Sequence, residues 1–193
     1  VIRPAPPASG RPRRRGDDGE IEVFVADEQG DHPVDLARWE ALARGVLEAE
    51  GVSGDAELAL LFVDEAAMAE LNERFMGHDG PTDVLAFPID DDDVVIGRSP
   101  DGSSSGPDRG PIDDVPLLLG DVVVCPAVAA RNAPSHAGTY DDELALLIVH
   151  GILHVLGMDH AQPEETKVMQ ARERELLERF HQGTEPVERT GER

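Results

Sequence analysis

The chain has 193 residues, 40% of them hydrophobic and 30% charged, which is enough for one domain around a single core. No apolar run reaches the roughly 18 residues of a membrane-spanning helix, and with Cys125 as the lone cysteine no intrachain disulfide can form. The net charge of −23, from 40 acidic against 17 basic residues, runs against nucleic-acid binding, which usually leaves a basic footprint. Residues 90–114 hold eight Asp against Arg98 and Arg109, so the rest of the chain still carries −17.

Residues 1–19 are rich in Pro, Gly, Arg and Asp and read as a disordered arm. Arg11, Arg13, Arg14 and Arg15 suit either an RNA-binding arm or an extension without a role. No apolar stretch follows these arginines, as a secretory signal would need, and Pro4, Pro6, Pro7 and Pro12 argue against a transit helix. The expected compartment is the cytoplasm.

IEVFVA (21–26) reads as a strand, and residues 34–50 as a helix with Leu36, Trp39, Leu42, Val46 and Leu47 on one face. ELALLFV (57–63) reads as a strand buried on both faces. Asp64 can cap the next helix, in which Met68, Leu71 and Phe75 recur at helical spacing. VLAFP (84–88) is a short strand, followed by an Asp/Gly/Ser-rich insertion at about 90–114 that has too little apolar surface to order itself. LLLGDVVV (117–124) is a further strand, and Pro126 opens a helix through Asn132. Cys125, set among apolar neighbours, reads as a small buried residue rather than a nucleophile. Thr139 starts a helix with Asp141, Asp142 and Glu143 in its first turn, where the helix dipole favours them. That helix is apolar nearly all round and should be the central buried one, ended by Gly157. A last helix, from Pro163 to Gly183, carries Val168, Met169, Leu176, Leu177 and Phe180, and residues 183–193 form a tail. The expected fold is α+β, a four-stranded mixed sheet packed with about five helices, in one domain over residues 20–182.

The window HGILHVLGMDH holds His150, His154 and His160. Residues four apart on a helix stand one above the other, so His150 and His154 point at one spot. Gly157 can take positive φ and turn the chain so that His160 closes a third corner. Core histidines are the plainer explanation, but each buried imidazole needs a partner, and three joined by a glycine turn are hard to satisfy without an ion. Three neutral imidazoles with an open fourth position suit a catalytic Zn²⁺, one per chain; nickel or another imidazole-binding ion stays open. His32, His78, His136 and His181 are assigned no role. The spacing matches the protease pattern H-E-x-x-H-x-x-G-x-x-H, except that Gly151 replaces the glutamate base. The metal geometry therefore carries over, while peptide hydrolysis does not follow.

Three blocks, LNERFMGHDGPTDVLAFP (71–88), LGDVVV (119–124) and HGILHVLGMDH (150–160), resemble the YbeY family of bacterial endoribonucleases and ribosomal RNA maturation factors. The resemblance covers residues 21–182. It implies a single-strand-specific, metal-dependent endoribonuclease acting in ribosomal RNA processing and ribosome quality control. It also implies a zinc ion on His150, His154 and His160, with ribosomal RNA and the ribosome as partners, and no DNA or membrane. Many members place an arginine, suited to a phosphate, where this chain has Met76, and a serine where it has Ala86. Arg74 and Arg131 are the candidate substitutes. Thr82 and Asp83 suit either action on substrate or metal-bound water or a turn cap, and Asp159 either orients a histidine or caps its turn. Zinc-assisted cleavage by activated water and cleavage through the ribose 2′-OH both remain open. An assembly factor with a structural zinc is the alternative from another class. The catalytic residues and oligomeric state are not readable.

Overall fold

A computed structural model describes residues 19–89, 116–158 and 162–181. The expected arm (apart from Gly19), the insertion at 90–114 and the tail at 183–193 lie outside the described residues, as do Asp159 and His160. In chain order the elements are β1 (Ile21–Asp27), α1 (Leu36–Ala49), β2 (Ala56–Phe62), α2 (Glu65–Met76), β3 (Val84–Pro88) and β4 (Leu117–Val124). They continue with α3 (Pro126–Asn132), a 3-10 turn (Ala133–Ser135), α4 (Tyr140–Val155) and α5 (Pro163–Phe180). This is the α+β architecture expected from the sequence. The strands order as β1-β2-β4-β3, with β1, β2 and β4 parallel and β3 antiparallel to β4. Parallel neighbours need a crossover, and α1 supplies the first. β3 and β4 pair through five residues each although 28 residues, 89–116, separate them.

Short polar side chains start the helices where the sequence placed them. Asp35, Asp64 and Thr139 accept the backbone N–H groups of Arg38, Ala67 and Asp142, taking up donors that a first turn leaves orphaned. α4 is the central helix: Leu144, Ala145, Ile148, Val149, Ile152 and Leu153 have no exposed surface. It lies on β3 and β4, is flanked by α1 and α3, and is covered by α5.

The other sheet face is covered only in part. There α2 sets Met68 and Leu71 against Leu85, Val123 and Val128, while Phe24, Ile89 and Leu118 stay exposed. This corrects the expectation for β2, whose residues alternate between buried (Ala56, Leu58, Leu60, Phe62) and half-buried (Glu57, Ala59, Leu61). Its apolar run reflects a central position in the sheet rather than helices on both sides. Two further expectations change: Val168 faces solvent on α5, and Phe75 projects outward from α2 instead of joining the core.

Candidate metal centre

Residues of α4 at i and i+4 place His150 and His154 on one face, and their rings meet edge to face with centroids 4.6 Å apart. The two Nε2 atoms are 3.1 Å apart. His150 Nδ1 lies 2.7 Å from Oε1 of Glu173 on α5. Glu173 is buried, and its carboxylate is the natural acceptor of a proton on Nδ1, so Nε2 is the ring nitrogen directed at His154. Two ring nitrogens this close share either a proton or a cation. In a tetrahedral zinc site with Zn–N near 2.05 Å, two ligand nitrogens stand about 3.3 Å apart. The donor pair, its spacing and the carboxylate behind it therefore fit such an ion, and carboxylate–histidine pairs of this kind orient metal-ligating imidazoles.

The helix ends in the glycine turn expected from the sequence. Gly157 adopts φ 88°, its N–H bonds His154 O, and Met158 N–H bonds Leu153 O, a left-handed C-terminal cap that turns the chain back. His160 falls on the connection between Met158 and Gln162, outside the described residues. Among the described residues no third His, Cys, Asp or Glu joins the pair to form a metal-sized cluster. α5 resumes at Pro163, with Gln162 N–H bonded to Glu165.

The pair opens into a depression of about 300 Å³ lined by Met76, Val84, Leu85, Ala86, Pro88, His150, Gly151 and His154. No lining residue is acidic, so the surface charge is not concentrated here. Met76, at the last turn of α2, stands in this wall. A larger hollow of about 490 Å³ lies against β1, β2 and β4; it includes neither histidine and carries Glu20, Glu22, Glu40, Glu57 and Asp121. The smaller depression is the one with chemistry. Gly151 marks where α4 presses on the sheet: a Cβ there would sit 2.6 Å from Val122 Cγ1. The position of the protease base thus has no room for a side chain unless Val122 moves.

The other candidates take structural places. Asp83 accepts from Val84 N–H at 2.9 Å and from Thr82 Oγ1 at 3.2 Å, and its own carbonyl accepts from Cys125 N–H. This is the turn-capping alternative for Thr82 and Asp83, and neither lines the histidine depression. Arg131 pairs with Glu65 at 2.7 Å, which holds the Glu65 carboxyl below its usual range. Glu65 and Met76 sit at opposite ends of α2, about 16 Å apart at 1.5 Å per residue. Arg131 is therefore remote from the position it was to replace. Arg74 lies over the Phe75 ring instead, 5.2 Å from its centroid. His136 bonds the fully buried Glu143 at 2.9 Å, and His181 bonds Asp142 at 2.7 Å while stacking on Trp39. Cys125 is buried and desolvation raises its thiol pKa, which suits packing rather than nucleophilic attack.

The functional residue that the sequence reading missed is Glu173. α5 has several similar glutamates, but only Glu173 shares its buried stripe with Met169 and Leu176, at spacings of four and three. An acid on an apolar stripe was the available signal.

Fold and site together define an α+β protein whose central helix presents a carboxylate-backed histidine pair in a zinc-protease-like spacing without the protease base. The family described as endoribonuclease YbeY matches residues 24–181, and the chain belongs to that family. A relative from Frankia casuarinae named endoribonuclease YbeY is 47% identical over 158 residues, covering 81% of this chain and 73% of its own. One of the same name from Salinispora tropica is 46% identical over 157 residues, covering 81% and 94% respectively. The fold resembles the solution structure of TM1509 from Thermotoga maritima, with a TM-score of 0.50 and 24% identity over 89% of this chain and all of that one.

Proposed function

We propose that this chain is an endoribonuclease that cuts single-stranded RNA with one zinc ion on His150, His154 and His160, and that it serves ribosomal RNA maturation and ribosome quality control. The supporting observation is the convergence of the His150 and His154 Nε2 atoms at 3.1 Å, with Glu173 fixing the tautomer of the first, in a chain of this family. When bound, zinc supplies Lewis acidity toward a phosphodiester oxygen or an attacking oxygen. The protein's part is to hold the imidazoles neutral and converging, with Glu173 orienting His150 through its Nδ1 proton. Gly151 offers no proton acceptor, so any general base comes from elsewhere, whether the attacking oxygen is a water or the substrate's own 2′-OH. The apolar wall of Met76, Val84, Ala86 and Pro88 shapes the depression beside the histidines.

The functional unit is residues 20–182, working in the cytoplasm. No helix among the described residues is long and apolar enough to cross a membrane. The charge of −23 weakens unsteered RNA binding, so affinity should be modest and fall further as salt rises. The same charge, with Met76 where many members have arginine, favours the second reading of a ribosome-assembly factor with structural zinc. Cleavage of single-stranded RNA, duplex RNA and casein by wild type and His154→Ala, purified side by side, separates these. Loss of single-strand cleavage in His154→Ala, with duplex and casein untouched by both, is expected; equal RNA cleavage by both refutes metal-dependent action. No cleavage by either, with ribosome binding intact, supports the assembly factor. Because Met76 stands in the wall beside both histidines, Met76→Arg should raise activity if a guanidinium there can grip a phosphate.

A further inference from the structure

Phe75 is 53% exposed at the end of α2, an unusual place for a large ring with an apolar interior close by. Its edge meets the Phe87 ring at 5.0 Å and 65°, and Arg74 lies 5.2 Å over it. Among the described residues Arg74, like Arg174 and Arg179 on α5, forms no ion pair, whereas Arg38, Arg44, Arg131 and Arg172 are each held by a carboxylate; of these free guanidinium groups only Arg74 stands beside the histidine depression. The turn behind the ring is fixed. Gly77 is left-handed at φ 70°, His78 N–H returns to Asn72 O, and the buried Asn72 side chain donates to Gly80 O at 2.8 Å.

Strand alternation ties this patch to the histidine depression. In β3, Val84, Ala86 and Pro88 line the depression on the α4 side, Leu85 reaches its rim, and Phe87 lies on the α2 side. Phe75 is likewise the chain neighbour of Met76, which lines the depression. The aromatic patch and the metal centre thus stand back to back across the free edge of β3, one residue apart along each element. An exposed ring joined to a guanidinium that no described carboxylate holds is the chemistry that grips an unstacked nucleobase and its phosphate.

We propose that Phe75, supported by Phe87 and Arg74, is a stacking platform for one unpaired base of the RNA strand whose backbone enters the histidine depression. This rests on the endoribonuclease reading and deepens it by giving single-strand preference a physical source. A duplex keeps its bases stacked on each other and has none to offer the ring, whatever the metal does. Phe75 is a positioning residue and takes no part in bond cleavage.

The test is binding of a labelled, unstructured single-stranded RNA to the zinc-loaded full chain at low salt, the RNA carrying 2′-O-methyl riboses and phosphorothioate linkages so that binding is read without cleavage. Phe75→Leu keeps an apolar side chain on Phe87 but removes the π-face, and should weaken binding about tenfold. Phe75→Trp should retain affinity, and its emission should be quenched by the RNA; Trp39, the only other tryptophan, is buried and remains a constant background. One abasic position in the RNA should reproduce the Phe75→Leu loss in wild type and add nothing to it in Phe75→Leu. Equal affinities for wild type and Phe75→Leu, with no quenching in Phe75→Trp, overturn the platform while leaving the endoribonuclease reading intact. Failure of wild type to bind any RNA overturns that reading, and the platform falls with it.

Discussion

Gly151→Ala adds one methyl group to α4 where the helix crosses the sheet, beside both histidines. In a solvent-facing helix the change is favourable by about 1 kcal/mol, because alanine loses less backbone freedom than glycine. Here the new Cβ would stand 2.6 Å from Val122 Cγ1 and 3.3 Å from both Val122 Cγ2 and Val84 Cγ2, where ordinary contact begins at 3.4 Å. Val122 has no exposed surface, and a β-branched side chain has few rotamers to move into. Overpacking of this kind costs about 1–3 kcal/mol. Set against the helix gain, it leaves a net loss of about 1 kcal/mol, or about 2–4 °C in Tm for a domain of this size. Urea unfolding should show a lower midpoint with an unchanged m-value. In a Val122→Ala background both Val122 methyls are gone and only Val84 Cγ2 at 3.3 Å remains, so Gly151→Ala should then raise the midpoint relative to Val122→Ala alone. A stabilised Gly151→Ala in the otherwise wild-type chain would refute the close packing of α4 on β4, and with it the steric account of the missing base.

Glu173→Gln removes the carboxylate that orients His150 and should weaken zinc about 10–100-fold in competition with a chromophoric chelator; Glu175→Gln, on the exposed side of α5, should leave it unchanged. At the start of α4, Thr139 and then His181 hold the Asp142 carboxyl below its ordinary value of 3.8. A depressed folded pKa gives stability that is present above the unfolded value and lost as pH falls through the folded one. Asp142→Asn should therefore be less stable than wild type at pH 7, by under about 1 kcal/mol since Asp142 is partly exposed, and urea melts at lower pH should show the gap closing below pH 3.8.

The parts of the fold that were legible in sequence are those set by local rules. α4 was readable from its cap, its apolar surface and its terminal glycine, and the meeting of His150 and His154 follows from helical spacing alone. What was not legible depends on elements far apart in the chain. Glu173 reaches His150 across 23 residues because α5 folds back over α4. Phe75 fits the apolar period of α2 as well as Met68 does, yet Met68 is buried while Phe75 meets only the edge of Phe87 and stays 53% exposed, a difference set by packing between elements. The burial of β2 was overread for a similar reason: periodicity reveals an apolar run but not how many layers lie on it.

The pairing of β3 with β4 across 28 intervening residues has a consequence for how this family can vary. The entropic cost of bringing two chain positions together grows only with the logarithm of their separation, so 28 intervening residues in place of four add about 1.7 kcal/mol. The five-residue ladder between Val84–Pro88 and its β4 partners, with the α4 packing beneath, is large enough to absorb that. Length at this junction is therefore close to selectively neutral as far as folding is concerned. A reporter or affinity segment spliced between Ile89 and Pro116 should be carried by the domain without shifting the register that sets Ala86 opposite Val122 and keeps the floor of the histidine depression in place.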